Sequence, residues 1–140
     1  MPSVFSQIIA GHIPARFIWK DPECVAFLDI RPLRPGHTLV VPRQEVPHWI
    51  DLPPDLCTHV FAVSQEIGLA LNHAFHPEKV GLVIAGLDVA HTHIHLVPIQ
   101  SMRDLDFRQA DRHPRPEDLD AAAIKIRTAL RTLGSRYVVD

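Results

Sequence analysis

Apolar positions along the chain fall into short runs of two periods. Residues 4–10 (VFSQIIA) form an apolar-rich segment ending at Gly11, enough for about two helical turns with glycine as the stop. FIWK (17–20) and CVAFLDI (24–30) are rich in β-branched and aromatic residues and flank Asp21-Pro22, which predicts a hairpin. Pro32, Pro35 and Gly36 mark a loop before HTLVVP (37–42), a nearly continuous apolar strand. From Pro53 to Phe75 the period changes. Leu56, Val60, Val63, Ile67, Ala70, Leu71 and Ala74 recur at spacings of three and four, the stripe of an amphipathic helix starting at Asp51 or Pro53-Pro54. KVGLVIAG (79–86) and HTHIHLVPIQ (91–100) read as adjacent antiparallel strands. A last helix, at about 117–133, carries Leu119, Ala122, Ala123, Ile126 and Leu130 on one side and stops at Gly134.

Strands joined by short connections, with helices between groups, predict an α+β fold rather than a parallel doubly wound sheet. A length of 140 residues predicts one domain, 1–140. With 46% hydrophobic and 21% charged residues, the chain is neither a disordered tail nor a fibre. A net charge of -2 offers no basic field for nucleic acid or anionic lipid. The last 40 residues hold eight of the fourteen Lys+Arg and also seven acids, the mixture of a solvated face. No apolar run approaches the ~20 residues of a membrane helix, and MPSVFSQII lacks the features of a secretion leader. Isolated Cys24 and Cys57 suit free thiols in a reducing compartment, so a cytoplasmic protein is expected.

Ten histidines are the unusual count, and the informative stretch is His91-Thr92-His93-Ile94-His95. In a strand, alternate side chains share a face, so these three rings would stand together, roughly 6.5–7 Å apart along the strand. Three readings compete. The rings are ordinary satisfied residues; or they chelate a metal, helped by Asp88, His37 or His48; or one ring is a nucleophile tuned by its neighbours. The last has definite requirements. One nitrogen must offer a lone pair to the electrophile, and the other must be an N–H held by an acceptor, for which a backbone carbonyl suffices. Neighbouring donors would then stabilise charge on substrate oxygens, for which phosphorus is the natural target. Protonation removes the lone pair, so activity is expected to fall below about pH 6, from the ordinary imidazole range.

Together with Gly36-His37-Thr38-Leu39-Val40-Val41-Pro42, this run resembles the histidine triad (HIT) superfamily, and the resemblance extends over residues 4–21, 27–43 and 79–98. It implies a five-stranded antiparallel sheet with helices, completed as a ten-stranded sheet in a homodimer. It further implies hydrolysis or transfer at the α-phosphate of an adenosine or guanosine derivative through a nucleotidyl-histidine, with neither cofactor nor metal. On that mapping His93 is the nucleophile and the His91 carbonyl accepts from its ring N–H. His95 bonds the phosphate, and His37 supports the cluster from the neighbouring strand. The nucleoside pocket maps onto Phe5, Ile8, Ile13, Phe27 and Ile30, with Asp29 for the ribose hydroxyls. Read without the resemblance, Phe5, Ile8, Ile13 and Phe27 are as easily ordinary core and Asp29 a turn cap, and Arg31, Arg34 and Arg43 are solvated surface that could meet further phosphates.

Two departures from the family pattern stand out. Many members carry Cys-x-x-Cys near the start for zinc; Ser3 and Ser6 occupy those positions, and serine does not replace a thiolate, so no structural zinc is expected. Where well-known branches have Gly-Gln-Ser/Thr-Val, this chain has Gly86-Leu87-Asp88-Val89. Leu87 cannot donate, and an ionised Asp88 repels phosphate, although it could orient a histidine or protonate a leaving group. Two alternatives to a hydrolase therefore stay open: a nucleotide-binding or scaffold protein that kept the pocket without catalysis, and a tri-histidine metal enzyme.

Overall fold

Alternation within the strands sorts side chains onto two faces of one sheet, and both faces are covered. In a computed structural model of residues 1–140, α1 (Val4–Ile9), β1 (Phe17–Lys20), β2 (Cys24–Leu28), β3 (Thr38–Pro42), α2 (Pro54–Phe75), β4 (Lys79–Val83), β5 (Ile94–Ile99) and α3 (Pro116–Thr132) follow in order. Short 3₁₀ turns lie at Trp49–Asp51, Met102–Leu105 and Phe107–Gln109. All strand pairs are antiparallel, in the order β1-β2-β3-β5-β4. This is the expected five-stranded α+β architecture.

On one face Cys24, Ala26, Leu28, Val40, Ile94 and Leu96 join Val60, Val63, Ile67, Leu71, Ile126 and Leu130 of α2 and α3 in the main core. Burying an aliphatic side chain of that size stabilises by roughly 1.5–3 kcal/mol. On the other face Val25, Phe27, Leu39 and Val41 pack against Phe5 and Ile8 of α1 in a smaller cluster. Because Ile94 and Leu96 point into the main core, period-two alternation turns His95 toward α1. That second, thinly covered face carries the site.

Several element ends differ from the sequence reading. The strand expected over 91–100 begins only at Ile94, and the one expected over 79–86 ends at Val83. Residues 84–93 bend instead of extending the ladder. His91 N–H donates to Val89 O, and both the N–H and hydroxyl of Thr92 donate to Val46 O. The residues bracketing the bend therefore find their backbone partners locally and in the loop after β3. β2 stops at Leu28, so Asp29 and Ile30 lie beyond it, and α2 starts with Pro54 at its first turn.

Gly36 prepares the approach to β3. Its φ is +94°, and a Cβ there would stand 2.7 Å from the Phe75 ring, so only glycine fits between the turn and α2. The outer edge of β1 is closed by a Trp19–Val138 bridge, whereas β4 forms the open edge of the sheet.

Candidate active site

Backbone groups set the protonation pattern of the histidine cluster, which follows bond by bond. The Leu33 N–H donates to His37 Nδ1 at 3.0 Å, so His37 carries its proton on Nε2. That Nε2–H reaches His95 Nδ1 at 2.9 Å, which makes His95 Nδ1 an acceptor and leaves its proton on Nε2. His93 Nδ1 lies 2.7 Å from the His91 carbonyl and must be the N–H, so in the neutral ring Nε2 is the lone pair. His91 Nε2 donates to Pro42 O at 2.8 Å, and its Nδ1 accepts from the Ser3 hydroxyl at 2.7 Å. Three main-chain groups, Leu33 N–H, His91 C=O and Pro42 C=O, thus determine the tautomers of all four rings.

Two nitrogens are left without a protein hydrogen bond: the lone pair on His93 Nε2 and the N–H on His95 Nε2. The His93 atom is the one buried polar side-chain atom in the structure with no partner. Its nearest charged neighbour is Asp88 Oδ1 at 3.4 Å, on a side chain 71% exposed. The rings of His93 and His95 stand 4.9 Å apart, edge to face. Phe5 abuts His93 and His91 at 4.8 and 5.9 Å, and Phe107 abuts His95 and His37 at 4.9 and 6.3 Å. Burial, reinforced by neighbouring histidines, depresses His37 to about 3 and His95 to about 4. His91 is lowered as well, mainly by burial. These three supporting rings are therefore neutral throughout the physiological range.

His93 and His95 open onto a cavity of about 330 Å³. The six residues mapped onto the nucleoside pocket, Phe5, Ile8, Ile13, Phe27, Asp29 and Ile30, all line it, as does Asp88. Ile30 stands at the rim, 63% exposed. His37 and His91 do not line the cavity but lie behind the two rings that do. Asp29 does cap a turn, accepting from Arg31 N–H at 2.8 Å, and its second oxygen lies 3.6 Å from His37 Nε2. Burial raises its carboxyl above the ordinary value. Of the three arginines, Arg31 lines the cavity, whereas Arg43 donates to Asp21 O on the far side of β2.

Sequence reasoning missed three contributors. Glu45 Oε1 accepts from Ser3 N–H and from the Ser6 hydroxyl, each at 2.6 Å, and Ser3 Oγ also caps α1 through Ser6 N–H. Phe107 closes the His37–His95 end. The Leu33 amide orients the relay. The first two look like surface in sequence, and a main-chain donor leaves no mark there at all.

The donor sets do not suit a metal. Ser3, Ser6, Glu45 and His91 Nδ1 already satisfy one another and include no thiolate. Asp29, His37 and His95 bring ligand atoms within 4.8 Å, but His37 Nε2 and His95 Nδ1 are bonded to each other, so an ion there would have to break the relay. A tri-histidine centre lacks nitrogens too, because His91 has both of its own engaged.

The site is thus a row of imidazoles that presents one lone pair beside one N–H to a largely apolar cavity. The chain belongs to the HIT family: the HIT domain model matches residues 10–102. It is 33% identical over 135 residues to an uncharacterized HIT-like protein of Mycobacterium tuberculosis, covering 93% of this chain and 94% of that one. It is 31% identical over 100 residues to the adenylylsulfatase HINT3 of Arabidopsis thaliana, covering 68% of this chain and 51% of the relative. Among solved structures, a Zn-bound histidine triad family protein from Mycobacterium smegmatis superimposes with a TM-score of 0.80 at 33% identity, over 94% of this chain and 95% of that one. No helix is long and apolar enough to cross a membrane.

Proposed function

We propose that this chain is a metal-independent nucleotide hydrolase acting at the α-phosphate of a purine nucleotide derivative through a nucleotidyl-histidine on His93. One observation carries the reading: His93 Nε2 is buried, without a partner, and held as a lone pair by the bond from Nδ1–H to the His91 carbonyl. Phe5, Ile8, Ile13, Phe27 and Ile30 would hold the base, and Asp29 the ribose hydroxyls. The Nε2 lone pair forms an N–P bond while the bond from phosphorus to the leaving group breaks, its electron pair leaving with that group. His95 Nε2–H donates to a non-bridging oxygen as charge builds, a contribution worth about 3 kcal/mol for one well-placed donor. Water then attacks phosphorus, the N–P bond breaks, the electron pair returns to Nε2, and the water proton passes to solvent. Kinship with an adenylylsulfatase points the same way.

The test is a rapid acid-free quench during turnover of an adenosine phosphoramidate or a dinucleoside polyphosphate. Mass spectrometry should find an AMP adduct on His93. Turnover with no adduct there, or an adduct on another residue, refutes the nucleophile.

Leu87 and Asp88 offer the phosphate no side-chain donor, and this favours a second reading, nucleotide binding without catalysis. Tight AMP binding with no turnover across a substrate panel would select it. We also place the protein in the cytoplasm, in keeping with free thiols at Cys24 and Cys57. A homodimer through the open β4 edge is part of the same proposal: exposed Phe61 and Leu69 of α2 and Leu82 of β4 line one open groove there. Light scattering should show a dimer, and Leu69→Asp should yield monomer.

A further inference from the structure

α1 forms one wall of the cavity, yet little of the chain holds it there. Val4, Phe5 and Ile8 of α1 and Ile13 just beyond it line the cavity, and the Phe5 ring stands 4.8 Å from that of His93. Six residues are too few for a helix to persist in water on its own, so α1 owes its place to what it touches. Every main-chain to main-chain hydrogen bond of residues 1–13 closes within that segment. Its buried apolar contacts run through Phe5 and Ile8, which pack against Val25, Phe27, Leu39 and Val41. Its polar ties to the body are three. The Ser3 N–H and the Ser6 hydroxyl donate to Glu45 Oε1, each at 2.6 Å, and the Ser3 hydroxyl donates to His91 Nδ1 at 2.7 Å. Two of the three end on one carboxylate oxygen.

Glu45 is itself firmly based. It follows β3 in a loop whose main chain is bonded to the bend before His93: Pro42 O accepts from His91 Nε2, and Val46 O from both the N–H and the hydroxyl of Thr92. The bonds from Ser6 and then Ser3 hold the Glu45 carboxyl down to about 2, so it is ionised at neutral pH, and charged acceptors make the stronger hydrogen bonds. Glu45 does not line the cavity. Resting on the nucleotide reading of that cavity, we propose that Glu45 is a positioning residue that fastens α1 over the nucleoside base and so sets affinity for the base without touching it. The apparent dissociation constant of a ligand is its intrinsic value divided by the fraction of protein in the competent arrangement. Releasing α1 until it is seated about one-tenth of the time therefore weakens nucleotide about tenfold. Turnover at saturation changes little, because bound base re-seats Phe5 and Ile8.

The experiment compares wild type with Glu45→Ala and with Glu45→Gln, which keeps the accepting oxygen. Calorimetry measures AMP and ribose 5-phosphate, which lacks the base, and kinetics follow an adenosine phosphoramidate. Glu45→Ala should raise the Kd for AMP and the KM for the phosphoramidate about tenfold. Its kcat should stay within about twofold and its affinity for ribose 5-phosphate should not change. Glu45→Gln should recover most of the loss. Hydrogen exchange at the α1 amides, Gln7 and Ala10 among them, should quicken in Glu45→Ala and slow again when AMP is added. A general loosening of the fold would instead weaken both ligands alike. Equal AMP affinity in wild type and Glu45→Ala, an equal penalty for ribose 5-phosphate, or a fall in kcat at unchanged KM overturns the assignment. Wild type that binds no AMP and turns over no adenylyl substrate sinks the nucleotide reading and the assignment with it. AMP binding that is indifferent to residue 45 sinks the assignment alone.

Discussion

Two buried polar clusters sit on either side of the sheet's centre, and they are finished to different degrees. Around Asp21 every acceptor is filled. Oδ2 accepts from Trp19 Nε1 at 2.8 Å, His59 Nε2 at 2.8 Å and the Cys24 thiol at 3.4 Å, and Oδ1 from the amides of Glu23 and Cys24. Burial alone would raise the Asp21 carboxyl, but the bonds from Trp19, the two amides and His59 outweigh it and bring the group down to about 2. Burial of the Cys24 thiol, and then the same carboxylate, push that thiol upward. The histidine cluster is equally buried and nearly as well bonded, yet it keeps two nitrogens open, on His93 and His95. A polar cluster that serves only the fold closes on itself; one poised for chemistry leaves a vacancy where the substrate belongs.

Substitution should separate the two most sharply. His93→Asn is expected to lower turnover by at least about a thousandfold with little change in unfolding free energy, because it removes an atom the fold does not use. Asp21→Ala should do the reverse, costing about 3 kcal/mol in urea unfolding by stranding five buried or half-buried donors, while folded enzyme retains its kcat. Comparable loss of stability in both variants would erase the distinction.

Acid should unfold the two regions in sequence. His37 and His95 titrate lower in the fold than the ordinary 6.5, so the unfolded chain binds their protons first. Their contribution is complete above pH 6.5 and is lost as pH falls toward 4 and then 3. The slope is on the order of 1 kcal/mol per pH unit for each ring. Asp21, depressed from 3.8 to about 2, loses its contribution only below about pH 4. Denaturation followed from pH 7 to 3 should therefore steepen below 6.5 in wild type and much less in His37→Leu. The smallest effect is expected at Ser3→Ala, which removes both the α1 cap and the partner of His91 Nδ1. About 1 kcal/mol of stability should go, with a few-fold rise in KM, because α1 carries Phe5 and Ile8 into the cavity.

Local pattern explains what could be read in advance. The α2 stripe and the runs at 17–20 and 24–30 state their burial in their own periods, and tertiary structure agrees with them. His91 and His93 do not sit on the strand where alternation would put them, because Val89 and Val46 carbonyls offer that stretch closer partners than β3 does. The triad and six of the cavity residues were legible through family resemblance, whereas Asp88 marks a departure from it; alone, Phe5 or Ile8 cannot be told from core, and in the fold they line both core and cavity. Glu45 and Phe107 were illegible for a different reason: each matters through a partner more than ten residues away, and neither period nor motif encodes such a pairing.

The main-chain control of the ring protons gives the site a handedness. With an electron pair on one ring and a hydrogen on the next along the row, the two non-bridging oxygens of a bound nucleotide are not equivalent: one is bonded and the other is not. An α-phosphorothioate, in which one of those oxygens becomes sulfur, should therefore be processed with marked preference for a single diastereomer. In isotopically labelled water, two successive in-line displacements would give a thiophosphate product with net retention at phosphorus.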